Sequence, residues 1–279
     1  MDSLRVRVAA VMLRCVTWGD ADDPPVVLLH GAGAHAHWWD ALVPHLLPGW
    51  RIIAPDLRGH GESDWARQPY LIEDFYDDLC GLLDALALNR VVLIGHSMGG
   101  RVAAWYAAHQ AERVRGLALL DTRMAGLKPD RIDRWRGINI GGGPRRVYPT
   151  RAEALAAFRV IPPEPGIAAD LLAALAAHAV VQLSPAEWAL RFDRSVLRLE
   201  GSRLADIFDL LPRIHCPAVV MEGAASTVTT PAECAATAAA LGNCPVHMFS
   251  GGHHFLLAQP AAVGAALRAF LDRLQPVNP

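Results

Sequence analysis

Val91-Val92-Leu93-Ile94-Gly95-His96-Ser97-Met98-Gly99-Gly100 is the stretch whose reading decides the fold. Four branched apolar residues in a row read as a strand buried on both faces. Gly95-x-Ser97-x-Gly99 follows at once, and the alanine-rich run from Arg101 to His109 reads as a helix. Strand, Gly-x-Ser-x-Gly, helix places the serine on a sharp turn. Its hydroxyl stands above the strand end and its amide lies at a helix N-terminus. Small residues two positions before and after the serine let strand and helix approach closely. Five such residues alone are a common pattern; the buried strand before them and the helix after them make the signal specific.

Outward from this unit the chain alternates. Val26 to Leu29, Arg51 to Ala54, Val114 to Leu120, Ala218 to Met221 and Val246 to Phe249 read as strands. Trp38 to Leu47, Leu71 to Leu88, Leu204 to Leu211, Pro231 to Leu241 and Pro260 to Leu274 read as helices. Leu4 to Ala10 and Val11 to Thr17 alternate apolar and polar, as an antiparallel pair would. Strands alternating with helices predict an α/β domain with a mostly parallel sheet covered on both faces. The rhythm breaks between Arg123 and Arg203. That stretch holds Gly141-Gly142-Gly143-Pro144, Pro162-Pro163 and Pro165, with helical patterns over Glu153 to Arg159, Ile167 to Leu183 and Pro185 to Arg194 and no pattern of a buried strand. The expected organisation is a core of residues 1–122 and 204–279 with a helical lid of residues 123–203. His30, Asp56, Ser97, Asp121, Glu222 and His253 each fall just after a strand end. Ligands bind such sheets beyond the C-terminal strand ends, so these residues are expected on one edge.

Composition narrows the class. The chain has 279 residues, 52% hydrophobic and 19% charged, with a formal charge of −2, which offers nucleic acid or an anionic membrane no electrostatic attraction. Lys128 is the only lysine, so the positive charge is nearly all arginine. Cys15, Cys80, Cys216, Cys234 and Cys244 are odd in number and match no metal spacing, which reads as reduced thiols in the cytoplasm. The N-terminal residues carry no signal-peptide core. The most apolar run, Ala168 to Leu183, is short and carries His178 and Gln182, so no membrane span is expected. The twelve histidines are scattered in sequence and form no zinc pattern, and no glycine-rich loop precedes a lysine, so neither a metal nor a phosphate-binding cofactor is expected.

Four stretches carry a family resemblance: Leu28-Leu29-His30-Gly31; Pro55-Asp56-Leu57-Arg58-Gly59-His60-Gly61-Glu62-Ser63; Gly95-His96-Ser97-Met98-Gly99-Gly100; and Gly251-Gly252-His253 with Pro260 seven positions on. In this order they resemble the serine hydrolases of the α/β-hydrolase fold that carry a helical cap. The likeness runs the whole chain, though residues 123–203 share only the cap's position and helical content. It implies an eight-stranded, mostly parallel sheet and a Ser–acid–His triad that works without a cofactor.

A serine hydroxyl is a weak nucleophile until a base takes its proton. Ser97 matches the family's nucleophile, and His253, behind two glycines and before Pro260, matches its base, with His254 as the rival. The oxyanion hole needs two N–H donors. Met98, after the nucleophile, supplies one, and Ala32 matches the position of the other. His30 is expected to stabilise that loop, and Asp56, Arg58 and Gly59 to hold a turn. His35, Trp38, His96 and His254 are the candidate pocket residues, with His37 and Trp39 beside them; core packing is the other role open to the His35–Trp39 group. The acid departs from the commonest pattern. The usual aspartate slot, three residues after Gly223, holds Ser226. Asp121, at the end of the strand next to the serine strand, is the favoured acid, as in capped esterases that carry a serine in the usual slot. Glu222 is the second candidate. The implied substrate is a small-molecule carboxylic ester or related acyl compound; oligomeric state leaves no mark in the pattern. Hydrolysis of a carbon–carbon bond in β-diketone-type ring-fission products would use the same triad, and a ligand receptor with slow or no turnover would use the same scaffold. Epoxide and haloalkane hydrolysis do not fit, because those relatives place an aspartate where this chain has Ser97.

Overall fold

Apolar runs without a polar alternate face are stable only where both sides of a sheet are covered. The computed structural model, which describes residues 1–66, 70–124, 145–198 and 207–274, places three such runs at the centre of one sheet: β3 (Pro25–Leu29), β5 (Val91–His96) and β6 (Val114–Leu120). Every residue of β5 is buried. The other strands of this sheet are β1 (Asp2–Val8), β2 (Val11–Trp18), β4 (Arg51–Pro55), β10 (Ala218–Gly223) and β11 (Val246–Phe249). The eight strands run in the order β1-β2-β4-β3-β5-β6-β10-β11. Pairing is antiparallel from β1 to β2 and β2 to β4 and parallel from β4 onward.

The pleat sends alternate residues to opposite faces. Val27, Leu29, Leu93, Leu117 and Leu119 pack in one cluster with Phe75 and Leu79 of α2 (Ile72–Ala85) and Val102 and Tyr106 of α3 (Met98–His109). Val26, Leu28, Val92, Ile94, Ala118 and Leu120 pack in the other, against Trp38, Trp39, α1 (Val43–Leu46) and the closing helix of residues 260–272. The span Trp38 to Leu47, expected as one helix, is two pieces: a single 3-10 turn at Ala36–Trp39 and then α1, restarted at Pro44.

The second region departs from expectation. Its sequence predicts helices and no buried strand, and helices are present as α4 (Arg151–Ala157) and α5 (Ala169–Ala179). It also carries a three-stranded antiparallel sheet of β7 (Val147–Tyr148), β9 (Glu187–Leu190) and β8 (Val180–Ser184), in that order. The expected helix Ile167 to Leu183 therefore stops at Ala179, and the centre of the expected helix Pro185 to Arg194 is the hairpin strand Glu187–Leu190. The reason is local. Val180-Val181 is β-branched, Ser184 pairs with Glu187 across Pro185-Ala186, and the Arg191 N–H closes the hairpin on the Ala179 carbonyl at 2.7 Å. Alanine and leucine are plentiful in this stretch and imitate a helical pattern. Leu175, Ala176 and Ala179 of α5 pack with Trp38, Trp39, Phe158 and Val160, which joins this region to the core.

The remaining helices are α6 (Ile207–Leu210), α7 (Pro231–Ala240), α8 (Phe255–Ala258) and α9 (Pro260–Asp272). Residues 204–206 of the expected helix Leu204 to Leu211, and the glycine run 141–143, lie outside the described residues. Among the described residues no helix is long and apolar enough to cross a membrane.

Candidate active site

Ser97 links β5 to α3 with φ 53° and ψ −118°. A non-glycine residue held there stores strain of about 1–3 kcal/mol, which the surroundings must impose. They do so through close contact. A Cβ at Gly95 would lie 2.5 Å from Gly100 Cα, and one at Gly99 would lie 2.1 Å from the Leu29 carbonyl oxygen, so only glycine fits either place. The Ser97 N–H donates to the Leu120 carbonyl at 3.0 Å and ties the turn to β6.

The loop after β3 passes over the serine: a Cβ at Gly31 would stand 3.1 Å from Ser97 Cβ. Two buried histidines shape this loop. His30 Nδ1–H donates to the Gly31 carbonyl at 2.8 Å, and its Nε2 accepts the Leu57 N–H at 3.0 Å. His60 Nδ1–H donates to the Arg58 carbonyl at 2.9 Å, and its Nε2 accepts the Gly33 N–H at 3.0 Å. A ring that donates from one nitrogen and accepts at the other is neutral. Burial keeps both so, pushing His30 down to about 4 and His60 to about 3, the latter with help from His30. Asp56 accepts the N–H groups of Ala36 at 2.7 Å and Glu62 at 2.9 Å. Arg58 makes a two-pronged pair with Asp78 at 2.6 Å and reaches Asp74 at 3.1 Å. Ala32 thus sits in a loop braced from below, and Met98 is the first residue of α3, where backbone N–H groups lack helical partners.

His253 lies in the loop between β11 and α8 and is buried. Its Nδ1–H donates to Asp121 Oδ1 at 3.2 Å. Asp121 follows β6, is fully buried, and has φ 41°. The same oxygen accepts Ser226 Oγ–H and Thr229 Oγ1–H, each at 2.8 Å, and Oδ2 accepts the Gly223 N–H at 3.1 Å. Three donors therefore aim one carboxylate at the imidazole. Ser226 bonds to that carboxylate while accepting the Val228 N–H at 3.1 Å. Glu222 lies on the neighbouring strand β10 and faces the Cys234 thiol, which burial and the adjacent carboxylate push up to about 12.

The four candidate pocket residues are all buried. His96 Nε2–H donates to the His253 carbonyl at 2.9 Å, and His35 Nε2–H donates to the Leu175 carbonyl of α5 at 3.1 Å. His254 Nε2–H donates to the Ile161 carbonyl at 3.0 Å, and the Trp38 ring lies 5.0 Å from the His254 ring. Burial drives His96 and His35 well below the usual histidine range and His254 to about 3.

One residue escaped the sequence reading. Glu164 accepts the Gly252 N–H on both carboxylate oxygens, at 2.9 and 3.0 Å, and the His254 N–H at 2.9 Å. It grips the backbone on either side of His253 from the second region of the chain. The only signal was a single acid framed by Pro162, Pro163 and Pro165. The structure also gathers His96, His253 and His254, one ring nitrogen of each lying within 4.8 Å of the others, and His37, Asp40 and His178 likewise. Sequence spacing conceals both groups because their members come from separate segments.

Residues 24–157 match the family described as alpha/beta hydrolase fold. Lipase LipV of Mycobacterium tuberculosis is 41% identical over 108 residues, 39% of this chain and 41% of the lipase, so the match spans less than half of that protein. 3-Oxoadipate enol-lactonase 2 of Acinetobacter baylyi is 26% identical over 266 residues, 94% of each chain. The structure of an E-2-(acetamidomethylene)succinate hydrolase superposes with a TM-score of 0.84 at 23% identity, over 97% of this chain and 99% of that one. The fold is that of the α/β-hydrolases, and residues 24–157 carry the match to that family.

Proposed function

We propose that the protein is a serine hydrolase that cleaves a carboxylic ester or lactone through an acyl-enzyme, with Ser97, His253 and Asp121 as its triad. The observation that carries this reading is the His253 Nδ1–Asp121 Oδ1 contact of 3.2 Å on the sheet edge where Ser97 stands on its strained turn. In this mechanism Ser97 Oγ attacks the acyl carbon as His253 Nε2 takes its proton. The N–H groups of Ala32 and Met98 hold the developing oxyanion. Imidazolium then protonates the leaving alcohol. Water attacks the acyl-enzyme by the reverse use of the same base and releases the acid. Asp121 keeps the Nδ1 proton in place throughout, so Nε2 stays available. No metal or cofactor takes part. The region of residues 145–198 acts as a lid, since Ile161 and Glu164 lie against the histidine loop and α5 lies against Trp38. Full-length likeness to an enol-lactonase, an enzyme named for a cyclic ester, supports an ester-type substrate.

A serine-directed fluorophosphonate probe and a panel of p-nitrophenyl esters of graded acyl length test this together. The expected result is labelling at Ser97 and turnover that peaks at one chain length. A folded protein that is neither labelled nor active on any ester overturns the assignment.

A further inference from the structure

The three histidines gathered at the site have more nitrogens than the triad uses. His96 Nε2–H donates to the His253 carbonyl, His253 Nδ1–H to Asp121, and His254 Nε2–H to the Ile161 carbonyl. Carbonyl and carboxylate oxygens only accept, so the proton of each ring sits on that nitrogen. The opposite nitrogens, His96 Nδ1, His253 Nε2 and His254 Nδ1, take no part in these bonds. His254 Nδ1 is buried without a hydrogen-bond partner, and a buried acceptor left in that state calls for an explanation.

We propose that His96, His253 and His254 form a binding site for one divalent transition-metal ion of the zinc type, which occupies the proposed general base and switches the hydrolase off. Metal binding follows from the histidine geometry alone; only the inhibition rests on the proposed function. Imidazole nitrogens are suitable ligands for such an ion. Metal-bound histidines characteristically donate their other N–H to a carboxylate or backbone carbonyl, which is the arrangement of all three rings here. Nitrogens about 2.0–2.1 Å from a tetrahedral ion stand about 3.4 Å apart. One ring nitrogen of each histidine lies within 4.8 Å of the others, so modest side-chain rotations bring three ligand nitrogens onto one ion. An ion that takes the His253 Nε2 lone pair removes the acceptor that Ser97 needs for its proton. No bond to the protein is broken and no ring proton is released. The second group does not compete. His37 has Asp40 at 2.9 Å from Nδ1 and the Arg14 guanidinium at 3.0 Å from Nε2, so neither nitrogen is left over.

The test uses full-length, chelator-stripped protein with Co2+ and Zn2+ as probes. Co2+ titration should give the absorption of a low-coordinate site at one equivalent, and Zn2+ should displace it. H96Q and H254Q should each weaken binding at least tenfold, and H178Q should leave it unchanged. X-ray absorption of the zinc-loaded wild type should count three imidazole nitrogens and needs no variant. Zn2+ should abolish fluorophosphonate labelling of Ser97, and EDTA should restore it. A spectrum of oxygen ligands only, or full affinity in both H96Q and H254Q, overturns the site. Three imidazole ligands with unimpaired labelling retains the site and overturns the switch. Three imidazole ligands in a protein that no probe labels even without zinc retains the site and overturns the hydrolase reading instead.

Discussion

The serine turn and the region of residues 145–198 both shape the same site, but by opposite physical routes. Around Ser97 the geometry is local. Gly95 and Gly99 fit because backbone atoms stand 2.5 and 2.1 Å from where a Cβ would be, and the strand before them has no exposed face to choose. Residues 145–198 are rich in alanine and leucine, which favour helix even where the chain forms a hairpin. There β-branching at Val180-Val181 and the hydrogen bond from Arg191 to Ala179 settle the outcome. The contribution of that region to the site is also of a different kind. It supplies the Ile161 carbonyl and the Glu164 carboxylate, which grip the loop of His253 rather than react. A local motif thus carries the proposed chemistry, and a distant segment holds its base in place.

The sharpest break in that comparison is at the turn itself. Ser97→Ala should lower ester turnover by up to about a million-fold, with circular dichroism unchanged. Near-normal turnover by a folded variant would remove the serine from the chemistry. Next is the acid. Asp121→Asn keeps shape and removes the charge that holds the Nδ1 proton, and about four orders of magnitude in kcat should be lost. Glu222→Gln, facing Cys234, should stay within tenfold of wild type; a larger loss there than at Asp121 reverses the assignment.

Glu164 sharpens the contrast between reacting and positioning groups. Glu164→Ala takes the acceptor from two backbone N–H groups beside His253. Hydrogen bonds to a charged group contribute about 1.5–3 kcal/mol, so kcat should fall by roughly ten- to a hundredfold. Glu164→Gln, which retains one acceptor oxygen, should recover part of it. A structural role alone would lower Tm equally in both variants and leave the pH profile of kcat in place; a positioning role shifts the profile because the base is displaced. A further effect is expected on stability rather than on turnover. His30 is near 6.5 when unfolded and about 4 when folded, so the unfolded chain binds more protons between those values. Stability from this group is complete above pH 6.5 and is lost as pH falls toward 4, by about 1.4 kcal/mol per unit. His60 acts in the same direction down to about 3. A Tm that stays level from pH 6.5 to 4 would show that the loop over Ser97 is not braced by neutral rings.

Much of this molecule could be read before its structure. The parallel sheet was legible because β3, β5 and β6 are apolar on both faces, a pattern that survives any tertiary context. The hairpin at 180–190 was not legible, because its alternation covers few residues, is broken by a bulge between Gln182 and Ser184, and sits among helix formers. Glu164 was invisible for another reason: its partners are backbone N–H groups 88 and 90 residues away, and a backbone donor leaves no trace in a sequence.

By itself the sequence determined the Ser97 turn and the sheet that bears it, because both depend on steric demands within a few residues of each other. The carboxylate that faces His253 was decided by tertiary structure. Asp121 and Glu222 both follow buried strands, and only the pairing of β6 with β10, with donors from Gly223, Ser226 and Thr229, turns one carboxylate toward the ring 132 residues away while the other turns to Cys234. Tertiary structure likewise brought His96 beside His253 and His254, because β5 and the loop after β11 end on the same edge of one sheet.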